Sequence, residues 1–87
     1  MVLALGIARG VYAKWNYRMT VTSVGDGQHS KFSLHYSGSA ADLRTRHLAA
    51  GDDRLIAADI RAALTGDYDV VLEGGHIHIE WDPRARP

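Results

Sequence analysis

Hydrophobic residues near the N-terminus recur with the spacing of a helix face. Apolar side chains return every fourth residue, at Leu3, Ile7, Val11 and Trp15, with small or aromatic neighbours at Ala4, Ala8 and Tyr12. This interval keeps side chains on one side of an α-helix, so the pattern predicts a helix that buries that side. Two glycines within it, Gly6 and Gly10, weaken the helix because glycine loses more backbone entropy than other residues when it becomes helical.

Alternation of polar and apolar residues replaces the helical pattern in the middle of the chain. The alternating stretches are 17–24, 31–38 and 40–45, and polar turn residues at 25–30 separate the first two. Successive side chains of a β-strand point to opposite faces, so these stretches predict three extended segments.

The C-terminal half predicts a second helix and a hairpin. The helix covers 53–64, with Asp52 or Asp53 as its N-cap. Its predicted buried residues are Leu55, Ile56, Ile60, Ala63 and Leu64. Residues 67–82 alternate on either side of Gly74–Gly75, which is typical of a two-residue hairpin turn. We therefore expect one α+β domain over 1–87, a small antiparallel sheet packed on two helices, with a frayed tail at 83–87.

Composition narrows the classes of function. Ten Lys and Arg residues balance ten Asp and Glu residues, so no basic surface indicates nucleic-acid binding. Cysteine is absent, so any metal must bind through His, Asp or Glu. The N-terminal apolar run is interrupted by Arg9 and follows no charged segment, which favours a domain helix over a signal peptide. We expect no transmembrane span and a protein made in the cytoplasm.

The polar face of the predicted hairpin carries candidate chemistry. If the Gly-Gly pair forms the turn, Glu73 and His76 lie directly opposite each other, about 5.5 Å apart at their Cα atoms. Alternation adds His78 and Glu80 to that face. The other face collects apolar side chains, namely Val70, Leu72, Ile77, Ile79 and Trp81. This arrangement favours a functional site, and a merely solvated polar face is the alternative.

A second group of candidate residues precedes the helix. Ser33 and His35 share a strand face, and Asp42 lies seven residues after His35. Seven is odd, so a straight strand would place His35 and Asp42 on opposite faces, and the chain must turn between them. These residues could then meet one or two hairpin histidines around a cation. Two neutral imidazoles and one carboxylate suit Zn²⁺ with a fourth position open to water.

These residues carry a family resemblance. The stretch SLHYSGSAAD, 33–42, matches position by position the Ser-x-His-x-x-Gly-x-Ala-x-Asp signature of zinc D-Ala-D-Ala carboxypeptidases and dipeptidases. The stretch EGGHIH, 73–78, resembles the second signature of that family, a His-x-His with a nearby glutamate. The family includes phage endolysin peptidases and shares its metal fold with hedgehog signalling domains. Together with the connecting helix, the signatures cover roughly the last two thirds of the chain.

The resemblance implies a zinc site and a hydrolytic activity. It implies His35, Asp42 and His78 as zinc ligands. It further implies Glu73 as the general base that acts on zinc-activated water, and His76 as the residue that stabilises the oxyanion. Both hairpin histidines share one face, so the choice of third ligand between them stays open. The implied activity is hydrolysis of peptide bonds in peptidoglycan stem peptides or cross-links, at the bacterial cell wall.

One part of the family pattern is missing. Many members of that family carry a Ser-Gly-Tyr-Arg-like stretch before the first signature, whose arginine helps to bind substrate, whereas the corresponding TSVGDGQHS, 22–30, has no arginine. Arg44 shares the face of Asp42 by alternation and is the candidate replacement. Ser33, Gln28 and His29 are further candidates for substrate binding.

Other functions remain alternatives. In a non-catalytic zinc module the metal would support folding or partner binding, because its binding free energy becomes folding free energy. Glu73 distinguishes the two, since a structural site needs no spare base. A non-haem iron site of two histidines and one carboxylate is less favoured, because such oxygenases generally have larger barrels. The bond cleaved, its stereochemistry and the oligomeric state stay open.

Overall fold

Two helices and four strands make up the part of the chain that the structure describes. A computed structural model describes residues 2–24, 40–64 and 66–81. Its elements are α1 (Val2–Lys14), β1 (Val21–Val24), β2 (Ala40–Arg44), α2 (Asp52–Ala63), β3 (Tyr68–Glu73) and β4 (His76–Trp81). The strands form one antiparallel sheet in the order β1-β2-β4-β3. Buried residues of both helices join those of the sheet in a single core, which confirms the α+β class.

Helix α1 forms as predicted, and its buried side follows the predicted neighbours Ala4, Ala8 and Tyr12 rather than the series that starts at Leu3. Ala4, Ala8 and Tyr12 are fully buried, whereas Leu3, predicted to start the buried face, is 70% exposed. Alanine is small and lets a helix backbone approach its neighbours closely, so the line of closest packing follows the alanines. The other residues of the series that starts at Leu3, namely Ile7, Val11 and Trp15, are half-buried. No helix among the described residues is long and apolar enough to cross a membrane.

Helix α2 begins without a side-chain cap. Its N-cap is Gly51, in the left-handed region at φ 91°, and this residue supplies no side-chain hydrogen bond to the helix. The prediction of an Asp52 or Asp53 cap is therefore wrong, because both carboxylates lie one step later, in the first turn. They still face the positive end of the helix dipole. Asp52 also accepts a hydrogen bond of 2.6 Å from the Tyr17 hydroxyl.

The buried side of α2 is shifted from the prediction towards Ala57, which is buried and was not predicted. Ile56, Ile60 and Leu64 are buried at four-residue spacing, as expected. Leu55 is 50% exposed and Ala63 is also exposed, so their predicted burial is wrong. Leu55 precedes Ile56 and Ala63 precedes Leu64, so each points about 100° around the helix from a buried residue.

The strand predicted over 17–24 is shorter in the structure. Only Val21–Val24 is strand, and the residues before it run as irregular chain with Thr20 accepting a 2.9 Å hydrogen bond from the Arg44 N–H. A register shift lies between Val21 and Ser23, which pair with Leu43 and Asp42. The predicted turn at 25–30, the predicted strand at 31–38 and the tail at 83–87 lie outside the described residues.

The predicted hairpin is confirmed. Strands β3 and β4 flank a two-residue turn at Gly74–Gly75, and Glu73 pairs directly with His76. On its other side β4 pairs with β2, which sets Asp42 opposite His78 and Arg44 opposite His76. Because β2 and β4 are the two central strands, these polar residues lie in the middle of the sheet.

Candidate functional site

The sheet presents acidic and imidazole side chains on the side opposite the core. We call this surface the polar face and define it by Asp42, Glu73, His76, His78 and Glu80. Directly paired residues of antiparallel strands share a face, and residues two apart on one strand do as well. The pairing of β2 with β4 and of β3 with β4 therefore collects all five side chains on one surface.

Asp42 is held near the centre of the polar face by both neighbouring strands. Its cross-strand partner on β4 is His78, and Ser23 is its partner on β1. The Thr22 hydroxyl donates a 3.3 Å hydrogen bond to the backbone carbonyl of Asp42. The Asp42 side chain is only 27% exposed, so its carboxylate is partly shielded from solvent.

His78 lies between two carboxylates. Its Nδ1 is 2.8 Å from Oδ1 of Asp42, and its Nε2 is 3.2 Å from Oε1 of Glu80. The hydrogen bond to Asp42 is the main cause that raises the pKa of His78 above its usual value; burial opposes it and the Glu80 hydrogen bond adds to it. Both ring nitrogens donate in the imidazolium form, which matches two carboxylate acceptors.

His76 contacts the other end of the same surface. Its Nε2 is 2.7 Å from Oε1 of Glu73 and 3.7 Å from Oδ1 of Asp42. The side chain of His76 is 33% exposed and that of Glu73 is 48% exposed, so both can be reached by a molecule lying on the sheet. Asp42 thus stands between the two histidines, closer to His78.

The structure brings together part of the predicted site. Asp42, Glu73, His76 and His78 are neighbours on the polar face, as the contacts above establish. Arg44 is exposed, pairs with His76 across the strands and makes no ion pair with a described residue. Predicted ligand His35 and the predicted substrate-binding residues Ser33, Gln28 and His29 lie outside the described residues.

The predicted zinc site is represented by two of its three ligands. Within 2–24, 40–64 and 66–81 no group of three or more His, Asp or Glu side chains is arranged to hold a metal ion. Asp42 and His78 are the two predicted ligands that the structure describes. Oδ1 of Asp42 and Nδ1 of His78 lie 2.8 Å apart. A carboxylate and an imidazole are suitable zinc donors. An imidazole nitrogen that binds a metal carries no proton, so zinc would replace the proton that His78 now gives Asp42.

Two residues without a predicted role lie beside this site. Glu80 was placed on the same face as His78 by strand alternation, and in the structure it bonds His78. Arg46 follows β2, and its guanidinium lies against Gly75, where an added Cβ would be 3.0 Å from Nε and Nη2. Arg46 belongs to a loop, so strand alternation gives no signal for it.

The remaining described histidine has a structural role. His47 Nε2 lies 2.8 Å from the carbonyl oxygen of Arg18, and its ring stacks on Tyr12 at a centroid distance of 6.2 Å. Its ring also meets the edge of Tyr17. These contacts hold the loop after β2 against the C-terminal end of α1.

Comparison of the chain with protein-family models, with curated proteins and with solved structures finds no match.

Proposed function

We propose that this protein is a zinc-dependent peptidase that hydrolyses peptide bonds in peptidoglycan stem peptides or cross-links, at the bacterial cell wall. We further propose that its sheet and helices form the zinc fold of D-Ala-D-Ala carboxypeptidases and hedgehog domains. The observation that carries the proposal is the register of β2 and β4. It places Asp42, the last residue of the first signature, directly opposite His78 of the second, with donor atoms 2.8 Å apart.

His35, Asp42 and His78 would hold the zinc ion. Asp42 supports this assignment because it lies between both hairpin histidines, and His78 is the nearer of the two. When bound, zinc supplies a Lewis acid that polarises the substrate carbonyl and lowers the pKa of water.

Glu73 and His76 supply the proton transfer and charge stabilisation beside that position. Glu73 is more exposed than His76 and has no described contact with Asp42 or His78. An attacking water can therefore reach its carboxylate, which can take the proton from that water. The same carboxyl group can then return the proton to the leaving amine. The His76 Nε2–H, which now bonds Glu73, can donate to the oxygen that becomes negative in the transition state.

Arg44 is placed to bind an acidic group of the substrate. It lies opposite His76 on β2, is exposed and has no carboxylate partner among the described residues. A guanidinium with free N–H groups binds a carboxylate through paired hydrogen bonds. A stem peptide with a free carboxylate near the cleaved bond fits that position.

The test combines metal analysis with hydrolysis of purified muropeptides. Wild-type protein should contain about one zinc per chain, as expected for one catalytic site. His35→Ala, Asp42→Ala and His78→Ala should lose the zinc. Glu73→Gln should keep it and lose activity by about 10²–10⁴-fold, the usual contribution of a general base.

Asp69→Asn is the matched control. Asp69 pairs with Glu80 on the same surface and is exposed, so it tests the removal of a carboxylate outside the proposed site. It should keep both zinc and activity. Wild-type protein that is folded and fails to bind zinc would contradict the proposal. Stoichiometric zinc without hydrolysis of any muropeptide would instead favour a non-catalytic zinc module.

A further inference from the structure

The second carboxylate on His78 has no place in the proposed reaction. Glu80 lies two residues after His78 on β4, and its Oε1 is 3.2 Å from the ring nitrogen that faces away from Asp42. Its cross-strand partners are Ala40 on β2 and Asp69 on β3. Ala40 has no polar side-chain atom and the Asp69 carboxylate is an acceptor, so His78 is the donor to Glu80 among the described residues.

The two nitrogens of the His78 ring are therefore distinguished by their surroundings. Nδ1 points towards Asp42, which also lies within 3.7 Å of His76 and is only 27% exposed. Nε2 points towards Glu80, whose side chain is 46% exposed and which has no other described histidine within reach. Nδ1 thus faces the shielded centre of the polar face, and Nε2 faces its rim.

We propose that Glu80 is a positioning residue for zinc binding: it accepts the Nε2–H of His78, fixes the ring tautomer and keeps Nδ1 available to zinc beside Asp42. This inference rests on the proposed function. Histidines that bind metals commonly donate their second ring N–H to a carboxylate, which orients the ring and strengthens it as a ligand. Glu80 supplies that carboxylate from the same strand.

The reverse assignment, with Glu80 as ligand and Asp42 as orienting residue, fits the distances less well. Asp42 approaches both hairpin histidines, whereas Glu80 approaches His78 alone among the described histidines and does so at the longer distance. A ligand shared by two candidate imidazoles lies where several donors converge. Glu80 lies on the outer side of the His78 ring, where an orienting group belongs.

Zinc affinity, measured by competition with a chromophoric chelator, tests the inference. Glu80→Ala should weaken zinc binding about 10- to 100-fold, the usual effect of removing such a carboxylate. Glu80→Gln should lose less, because its amide oxygen still accepts the Nε2–H. Asp69→Ala removes the carboxylate opposite Glu80 and the same charge, so it is the matched control and should change affinity by less than about twofold.

Nitrogen NMR of the His78 ring supplies the readout that a merely structural role would not change. In zinc-loaded wild-type protein, Nε2 should carry the proton and Nδ1 should bind the metal. Zinc found on Nε2 would overturn the inference, as would equal affinities of Glu80→Ala and Asp69→Ala; either result leaves the proposed peptidase intact. Folded wild-type protein that binds no zinc would overturn the inference and the proposed function together.

Discussion

The buried hydroxyl of Tyr12 links α1 to the strand that carries Asp42, and its removal should destabilise the protein measurably. The Tyr12 side chain is fully buried, and its hydroxyl donates a 2.9 Å hydrogen bond to the carbonyl of Arg44, two residues after Asp42. Burial also raises the pKa of Tyr12 to about 12, so the hydroxyl keeps its proton, and can donate, at pH values where an exposed tyrosine would ionise. Tyr12→Phe deletes only this oxygen and leaves the ring in the core.

The expected loss is about 1–2 kcal/mol. One intramolecular hydrogen bond contributes about 0.5–1.5 kcal/mol net, and an acceptor left in a poorly hydrated position adds to the loss. In a domain of this size each kcal/mol lowers Tm by about 4–8 °C. Urea denaturation should show a lower midpoint with an unchanged m-value, because the surface exposed on unfolding stays the same.

Tyr68→Phe is the control for the Tyr12 experiment. Tyr68 is half-buried at the start of β3, and its hydroxyl has no hydrogen-bond partner among the described residues. Its loss should change the free energy of unfolding by no more than about 0.5 kcal/mol. If Tyr12→Phe is no less stable than Tyr68→Phe, the Tyr12–Arg44 hydrogen bond does not anchor β2 and the reasoning fails.

Two further predictions concern the hairpin turn and a surface carboxylate. Gly75→Ala should destabilise the protein by about 1–2 kcal/mol in urea titrations, because φ is 92° and the new Cβ would meet Arg46, whereas Gly74→Ala has open space and should be close to neutral. The Trp15 indole N–H bonds Asp59 at 2.9 Å and is the main cause that lowers the pKa of this carboxyl in the folded state. A lowered folded-state pKa adds stability above the unfolded value of about 3.9, and this stability disappears as pH falls through the folded value. Thermal unfolding of Asp59→Asn should therefore show a lower Tm than wild type at pH 7 and a difference that shrinks as pH falls below the unfolded value; a difference that stays constant with falling pH would contradict this assignment.

The hairpin face was predictable because its determinants are local. The Gly74–Gly75 turn fixes the register of the two strands that flank it, and alternation then assigns each side chain to a face. Glu73 and His76 could therefore be paired from the sequence. The position of Asp42 opposite His78 depends on β2, which is 36 residues away in the chain. Alternation placed Asp42 and Arg44 on one face, and the residues alone indicated that Asp42 could meet one or two hairpin histidines. The choice of His78 as the ligand beside Asp42 came from the family resemblance.

The helix faces were less predictable because periodicity defines a broad apolar stripe. Leu3 and Leu55 belong to such stripes and are nevertheless exposed, since only one edge of each stripe is buried in the core. The side of closest contact depends on which small residues let the backbones approach. The cap of α2 was predicted wrongly because the backbone conformation, and not a side chain, determines where this helix begins. An aspartate is the commoner N-cap, but Gly51 adopts the left-handed backbone that the chain needs there, so the helix starts at Asp52.

The polar face derives its rigidity from the core on the other side of the same strands. Every site residue on β4 has a fully buried neighbour, with Ile77 between His76 and His78, and Ile79 after His78. On β2, Leu43 is fully buried beside Asp42. Moving the backbone of a site residue would therefore expose an apolar side chain, at about 1.5–3 kcal/mol for each one. The remaining freedom is rotation of the side chains, and for His78 the carboxylates on its two ring nitrogens restrict that rotation. A small domain can hold such polar side chains in fixed positions because one set of strands supplies both the core and the polar face.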